Sequence, residues 1–293
     1  MTALAFCVKI IIMTSVDKNE IQRLKRERLY SRITEIDVIR GICVILMVFD
    51  HFMYDIFDLM PSVFVGFPKE GFWRDFVILA RKYWLWDVRT GVRSVVVFLF
   101  LALTGISCSF SKSNLKRGLM LLVIALGVTG VTVGVGIATD NMNNLITFGI
   151  LHLISLSIIT VSIVERFTQN KWVYLAIGAL MLVIGAIVLN ENNYCFFGEE
   201  SLFLIFLKQF TGVGMFGADS YSFLYYGGQI YVGVFLGKLL YSDKKSLIFK
   251  KGYSNDPLTF IGRHSLLVYV VHQILIPVVL VIILLLQGYT FAI

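Results

Sequence analysis

Long apolar stretches alternate with short polar connections along most of the chain. Seven of them approach or exceed the roughly 20 residues that a helix needs to cross a bilayer: 36–58, 93–111, 118–138, 145–165, 172–190, 220–240 and 258–285. The pattern predicts an all-α fold, a polytopic transmembrane helical bundle. Two shorter apolar pieces, 76–88 and 201–210, fit interfacial or re-entrant helices. Ahead of the first stretch runs a basic segment with Lys18, Arg23, Lys25, Arg26, Arg28 and Arg32. The expected organisation is a cytoplasmic basic juxtamembrane segment over 1–35, a single transmembrane domain over 36–285 and a short tail over 286–293.

Charge orients this bundle. With the N-terminus inside, the cytoplasmic connections carry sixteen Lys and Arg and the outer ones six. Positive residues favour the cytoplasmic side, so N-in with an odd number of spans is expected. Were 76–88 to cross, the later basic connections would all fall outside.

Composition agrees. Of 293 residues 57% are hydrophobic and 15% charged, with mean hydropathy +0.81. A chain with so few charges cannot cover its surface as a soluble globule. The net charge of +7 lies mainly between apolar segments, which suits anionic lipid at a plasma membrane and gives no reason to expect nucleic acid. The four cysteines form no CxxC pair and no His/Cys cluster has metal spacing, so no metal is expected.

The first apolar stretch is the one with chemistry. EIDVIRGICVILMVFDHFMYDIFD, residues 35–58, carries Asp37, Arg40, Asp50, His51, Asp55 and Asp58. At about 100° per residue, the eleven steps from Arg40 to His51 leave about 20°, so both side chains share a face, about 16 Å apart along the axis. Asp37 is placed to pair with Arg40, and Asp55 to hydrogen-bond the His51 ring. Ionisable groups at such depth normally face a cavity or a partner. Blander roles exist: an interfacial ion pair for Asp37 and Arg40, hydrated ends for Asp55 and Asp58, a structural histidine at 51.

The other histidines are also membrane-associated. His152, in the fourth stretch, approaches the depth of His51 from the opposite direction, and the two could form a proton-handling pair. His264 stands at the cytoplasmic start of the last stretch and His272 eight residues deeper. Each could instead be a polar knot between helices. Asp219, Tyr225, Tyr226 and Gln229 are candidates to contact a substrate near the outer face. Gly227, Gly228, Gly233 and Gly237 suit close helix packing.

Five blocks carry a family resemblance: EIDVIRGICVILMVFDHFMYD, FLFLALTGISCSFSKSNLKRGLMLL at 98–122, ITFGILHLISLS at 146–157, YVGVFLGKLLY at 231–241 and IGRHSLLVYVVHQILI at 261–276. As an ordered set the chain resembles the bacterial relatives of heparan-α-glucosaminide N-acetyltransferase, within the transmembrane acyltransferases. The resemblance implies an integral membrane enzyme that passes an acetyl group from cytosolic acetyl-CoA to an amino or hydroxyl group of a glycan or other acceptor. The family's Asp-x-x-Arg-Gly signature falls on Asp37, Arg40 and Gly41, and its first-helix histidine on His51. The resulting expectations are a catalytic set of His51, Asp55 and His152. The CoA-binding set is Asp37, Arg40, Arg117, Arg263, His264 and His272, and the candidates to hold its phosphates are Arg40, Lys112, Lys116, Arg117, Arg263 and His264. His51 is open to two roles, general base or transient acetyl carrier. Lipids are expected partners and a homodimer is one allowed assembly. A proton-coupled transporter, with the same histidines as a relay, is the competing reading, and an inactive assembly factor a third.

Overall fold

The computed structural model describes residues 33–65, 70–139, 142, 145–190, 193–196, 198–217, 219–243, 245–248 and 256–291. The basic run from Lys18 to Arg32 lies outside them.

The apolar stretches form helices: α1 Thr34–Tyr54, α3 Asp87–Cys108, α4 Asn114–Thr139, α5 Ile150–Phe167, α6 Lys171–Val188, α8 Phe223–Leu240 and α10 Ser265–Leu286. The shorter pieces form α2 Phe72–Trp84 and α7 Leu202–Thr211, and α9 Pro257–Arg263 precedes α10. The last predicted stretch, 258–285, is thus two helices rather than one. The chain breaks at His264, which leaves the helical region at φ −106° and ψ 21°. After α1 the chain passes through a π-helical turn, Asp55–Leu59, and a further turn, Met60–Val63. A two-residue antiparallel ribbon, β1 Phe64–Val65 with β2 Thr290–Phe291, joins the segment after α1 to the end of α10.

Several helix starts follow from side-chain capping, which satisfies amide hydrogens that have no partner in the first turn. Asn170, Ser201, Ser222 and Asp256 accept from Trp172, Leu204, Tyr225 and Thr259 N–H respectively. Gly212, at φ 96°, ends α7 in the left-handed conformation.

Among the described residues, five helices are long and apolar enough to cross a membrane: α3, α4, α5, α6 and α10. α1 is long enough but carries acidic and basic side chains, and α8 is diluted by tyrosine, glycine and Gln229. The physical reason is position. α8 runs through the middle of the bundle against α3, α5 and α6, and its Gln229, Ile230, Tyr231 and Val234 are buried. A helix covered by other helices needs less lipid-compatible surface than one that faces lipid. The main core, with Leu101, Leu153, Ile158, Tyr174, Ile230 and Val234, joins these four helices. A second cluster packs α2 onto α10 and the turn after α1 through Ile56, Trp73, Ala80 and Leu284.

Glycines set the closest crossings. A Cβ at Gly233 would collide with Ala102 O of α3, and one at Gly105 with Ile230 O of α8. Gly41 and Gly262 bring α1 and α9 into backbone contact in the same way. Lipid tails are as apolar as the helices, so close packing of this kind supplies much of the association energy. Gly233→Leu is expected to cost about 3 kcal/mol, the upper end for overpacking. Gly130→Leu, where a Cβ would meet nothing within 4 Å, should leave the thermal unfolding midpoint in detergent nearly unchanged.

Candidate active site

α1 lies antiparallel to α3, and two polar clasps join them. At one end Arg40 donates to Leu103 O at 3.1 Å and to Ser107 Oγ at 2.6 Å, with Asp37 3.9 Å away as its ion partner. Near the other end Arg89 makes two bonds to the Asp50 carboxylate, each 2.7 Å. Tyr83 donates to the same carboxylate at 3.0 Å, and the guanidinium lies 3.5 Å over the Trp84 ring. Charges removed from water need this degree of pairing.

His51 follows Asp50 directly. Its Nδ1 is 2.9 Å from Met47 O. A carbonyl only accepts, so Nδ1 carries the hydrogen and Nε2 the lone pair. His272 on α10 repeats the arrangement, with Nδ1 3.1 Å from Val268 O. The two rings meet edge to face, centroids 5.0 Å apart. His272 is 5% exposed, and its Nε2 has no hydrogen-bond partner.

The His51 ring therefore bonds backward along its own helix and not forward to Asp55. Helical side chains lean toward the N-terminus, and Asp55 opens the π-helical turn, where the 100° register fails. Asp55 itself is buried. His272, expected in the CoA-binding set, stands against His51.

His152, in the first turn of α5, lines a pocket about the size of one water molecule together with Gly149, Asp219, Tyr269 and Gln273. Tyr269 reaches from this pocket to His272, at 5.6 Å between rings. His152 thus joins the His51 site through α10 rather than by direct contact. Asp219 lies in the connection between α7 and α8 and accepts from Ile150 N–H at 2.9 Å, at the start of α5. Burial pushes its carboxyl up, and the Ile150 amide and the charges of His51 and Arg93 act against that. Arg93 also hydrogen-bonds Tyr221.

The remaining expected residues gather at the Arg40 end. Arg117 is in the first turn of α4, which begins just after α3 ends at Cys108. Arg263 donates to Thr259 O at 3.1 Å within α9, and α9 packs on the start of α1. His264 is exposed and its ring packs at a tilt on Phe260, centroids 4.5 Å apart. Arg40, Arg117, Arg263 and His264 thus share one end of the bundle, and His51, His272 and His152 lie toward the other. Arg89, Arg93, Tyr269 and Gln273 were not singled out in the sequence. A guanidinium inside an apolar stretch was a usable signal for Arg93; nothing local marked Tyr269 or Gln273.

The family model described as heparan-alpha-glucosaminide N-acetyltransferase, catalytic, matches residues 32–274. The chain belongs to this family. The match begins just before α1 and ends two residues past His272, so it takes in both clasps and all three inner histidines. The protein is a membrane protein of an acetyltransferase family. No curated protein and no solved structure matches the chain.

Asp50→Ala leaves the Arg89 guanidinium, 8% exposed, without its counter-charge. The expected loss is about 3–5 kcal/mol, read as a lower unfolding midpoint. Asp50→Leu combined with Arg89→Met should recover most of it.

Proposed function

We propose that this protein moves an acetyl group from acetyl-CoA, bound at the Arg40 end, to an amino or hydroxyl group of a glycan or similar acceptor near His51. In this reading α1 and α8 also span the membrane, giving seven spans, and the Arg40 end faces the cytoplasm. The observation that carries the reading is the two-ended path along α1. Cationic side chains collect at one end, and a pair of imidazoles, His272 with an unpartnered Nε2, stands about 16 Å further along. The phosphates of CoA cannot enter lipid and stay with Arg117, Arg263 and His264. The extended pantetheine arm carries the thioester inward.

His51 Nε2 takes a proton from the acceptor as its nitrogen or oxygen attacks the thioester carbonyl. The C–S bond breaks, and the thiolate recovers that proton from the imidazolium, so the reaction is balanced without another reagent. His272 sits where it can share the proton. Arg40, already committed to α3, acts by holding α1 in place, and Asp37 by holding Arg40.

Calorimetry with acetyl-CoA on detergent-purified protein tests this. Arg117→Ala with Arg263→Ala should weaken binding at least about tenfold. His51→Ala should keep binding and lose transfer by about 10²–10⁴-fold. A folded wild type that binds no acetyl-CoA would return the weight to a proton-coupled transporter.

A further inference from the structure

One of the chain's four histidines holds its ring hydrogen differently from the others. His51, His264 and His272 turn Nδ1 to the carbonyl four residues earlier, at 2.9, 2.9 and 3.1 Å. A carbonyl only accepts, so all three carry a hydrogen on Nδ1. His152 does the reverse. Its Nε2 lies 3.2 Å from the Thr129 hydroxyl, whose single hydrogen goes to Ile146 O at 2.7 Å. The hydroxyl oxygen therefore accepts from His152, so Nε2 carries the hydrogen and Nδ1 the lone pair. That lone pair has no partner among the described residues, although His152 is only 6% exposed.

The pocket that His152 lines with Asp219, Tyr269 and Gln273 has the size of one water molecule. Gln273 donates to the Tyr269 hydroxyl at 3.4 Å, so that buried hydroxyl has its own hydrogen left to give. Asp219 uses one carboxylate oxygen on Ile150 N–H. One donor and two acceptors thus border the same small space. A water there accepts from Tyr269 and donates to His152 Nδ1 and to Asp219, which makes the three bonds typical of a buried water. Each of these groups is then satisfied, as buried polar groups in folded proteins are. Tyr269 meets His272 edge to face, centroids 5.6 Å apart, and His272 meets His51 in the same manner at 5.0 Å.

We infer that His152 is a positioning residue: a fixed donor and acceptor that holds Tyr269 through this water, and so sets His272 against His51, rather than a carrier of protons. The work assigned to the imidazole pair rests on the acetyl-transfer reading above. An imidazole with one nitrogen committed as donor and the other as acceptor can be replaced by a carboxamide, which offers an N–H and an oxygen in their place. An imidazole that takes up and releases a proton cannot.

Magnetic resonance of isotope-labelled histidine rings, near neutral pH in detergent, reads the hydrogen positions directly. The signal lost in His152→Gln should be that of a ring with its hydrogen on Nε2. The His272 signals, assigned by their loss in His272→Gln, should shift in His152→Leu and in Tyr269→Phe, and return in His152→Gln. Acetyl-CoA affinity should be the same in the wild type, His152→Gln, His152→Leu and Tyr269→Phe. Release of the CoA thiol, with glucosamine and glucose offered together as amine and hydroxyl acceptors, should fall at least about tenfold in His152→Leu and recover in His152→Gln. Tyr269→Phe, which removes only the hydroxyl, carries the test if His152→Leu does not fold. A His152 ring with hydrogen on Nδ1, or on both nitrogens, overturns the inference. So does a His152→Gln protein as slow as His152→Leu, and so do His272 signals that neither His152→Leu nor Tyr269→Phe moves. If the wild type binds acetyl-CoA but releases no thiol with these acceptors, the ring signals decide alone. If it binds none, the acetyl-transfer reading falls, and the positioning role with it, whatever the ring signals show.

Discussion

The Asp50–Arg89 ion pair is the constraint on which the site depends. Inside a bundle of low dielectric a charge on α1 is tolerated only where a partner meets it. α3 supplies that partner for Asp50, and Ser107 with the Leu103 carbonyl supplies it for Arg40. Two attachments on one helix, ten residues apart in sequence, fix both its rotation and its axial position. His51 inherits its orientation from the residue before it. The contact with His272 requires no further adjustment of α1, only that α10 pack against it. Trp84 and Tyr83 extend the same pair to the end of α2, so the amphipathic helix is tied to the site it borders.

Packing and polarity divide the remaining work. The glycine crossings of α3 with α8 and of α1 with α9 are non-directional close approaches. They bring backbones together without specifying which side chains face inward. The clasps are directional and specify register. This explains the composition of the signature at the start of α1. Gly41 admits α9, Arg40 reaches α3, and Asp37, buried with its backbone against Gly262, balances Arg40. Three residue types fix contacts with two neighbouring helices, α3 and α9, within five positions.

The sequence was most readable where one helix determines the answer. Helix positions followed from apolar runs because a spanning segment must satisfy its backbone internally. Periodicity put Arg40 and His51 on one face of α1, but their partners lie on different helices, α3 and α10; the gathering of Arg40, Arg117, Arg263 and His264 at one end followed from the order of the helices. The split at His264 was not readable, because it depends on how backbone hydrogen bonds are rearranged against neighbouring helices. The π-helical turn at Asp55 had one local signal, Pro61, which removes the amide that would bond the Phe57 carbonyl. The pairing of His51 with His272 was hidden for a related reason. Periodicity places a residue on a face of its own helix and says nothing of which helix that face will meet. Tyr269 and Gln273 look like ordinary residues of an apolar run until the fold turns them toward His152 and Asp219.

The two ends of the site also differ in backbone. Around Arg40 the chain is regular α-helix in α1 and α3. Just beyond His51 it widens into the π-helical turn, and five residues beyond His272 α10 contains Pro277. A proline removes the amide hydrogen that would bond the carbonyl four residues earlier, which here belongs to Gln273. The pocket wall between α7 and α8 is a connection, not a helix. Interrupted helix leaves carbonyls and polar side chains turned toward a cavity, which membranes tolerate only where protein encloses them. In the proposed reading the acceptor meets the end where α1 and α10 lose regular helical bonding, next to the Asp50–Arg89 clasp that holds α1 in place.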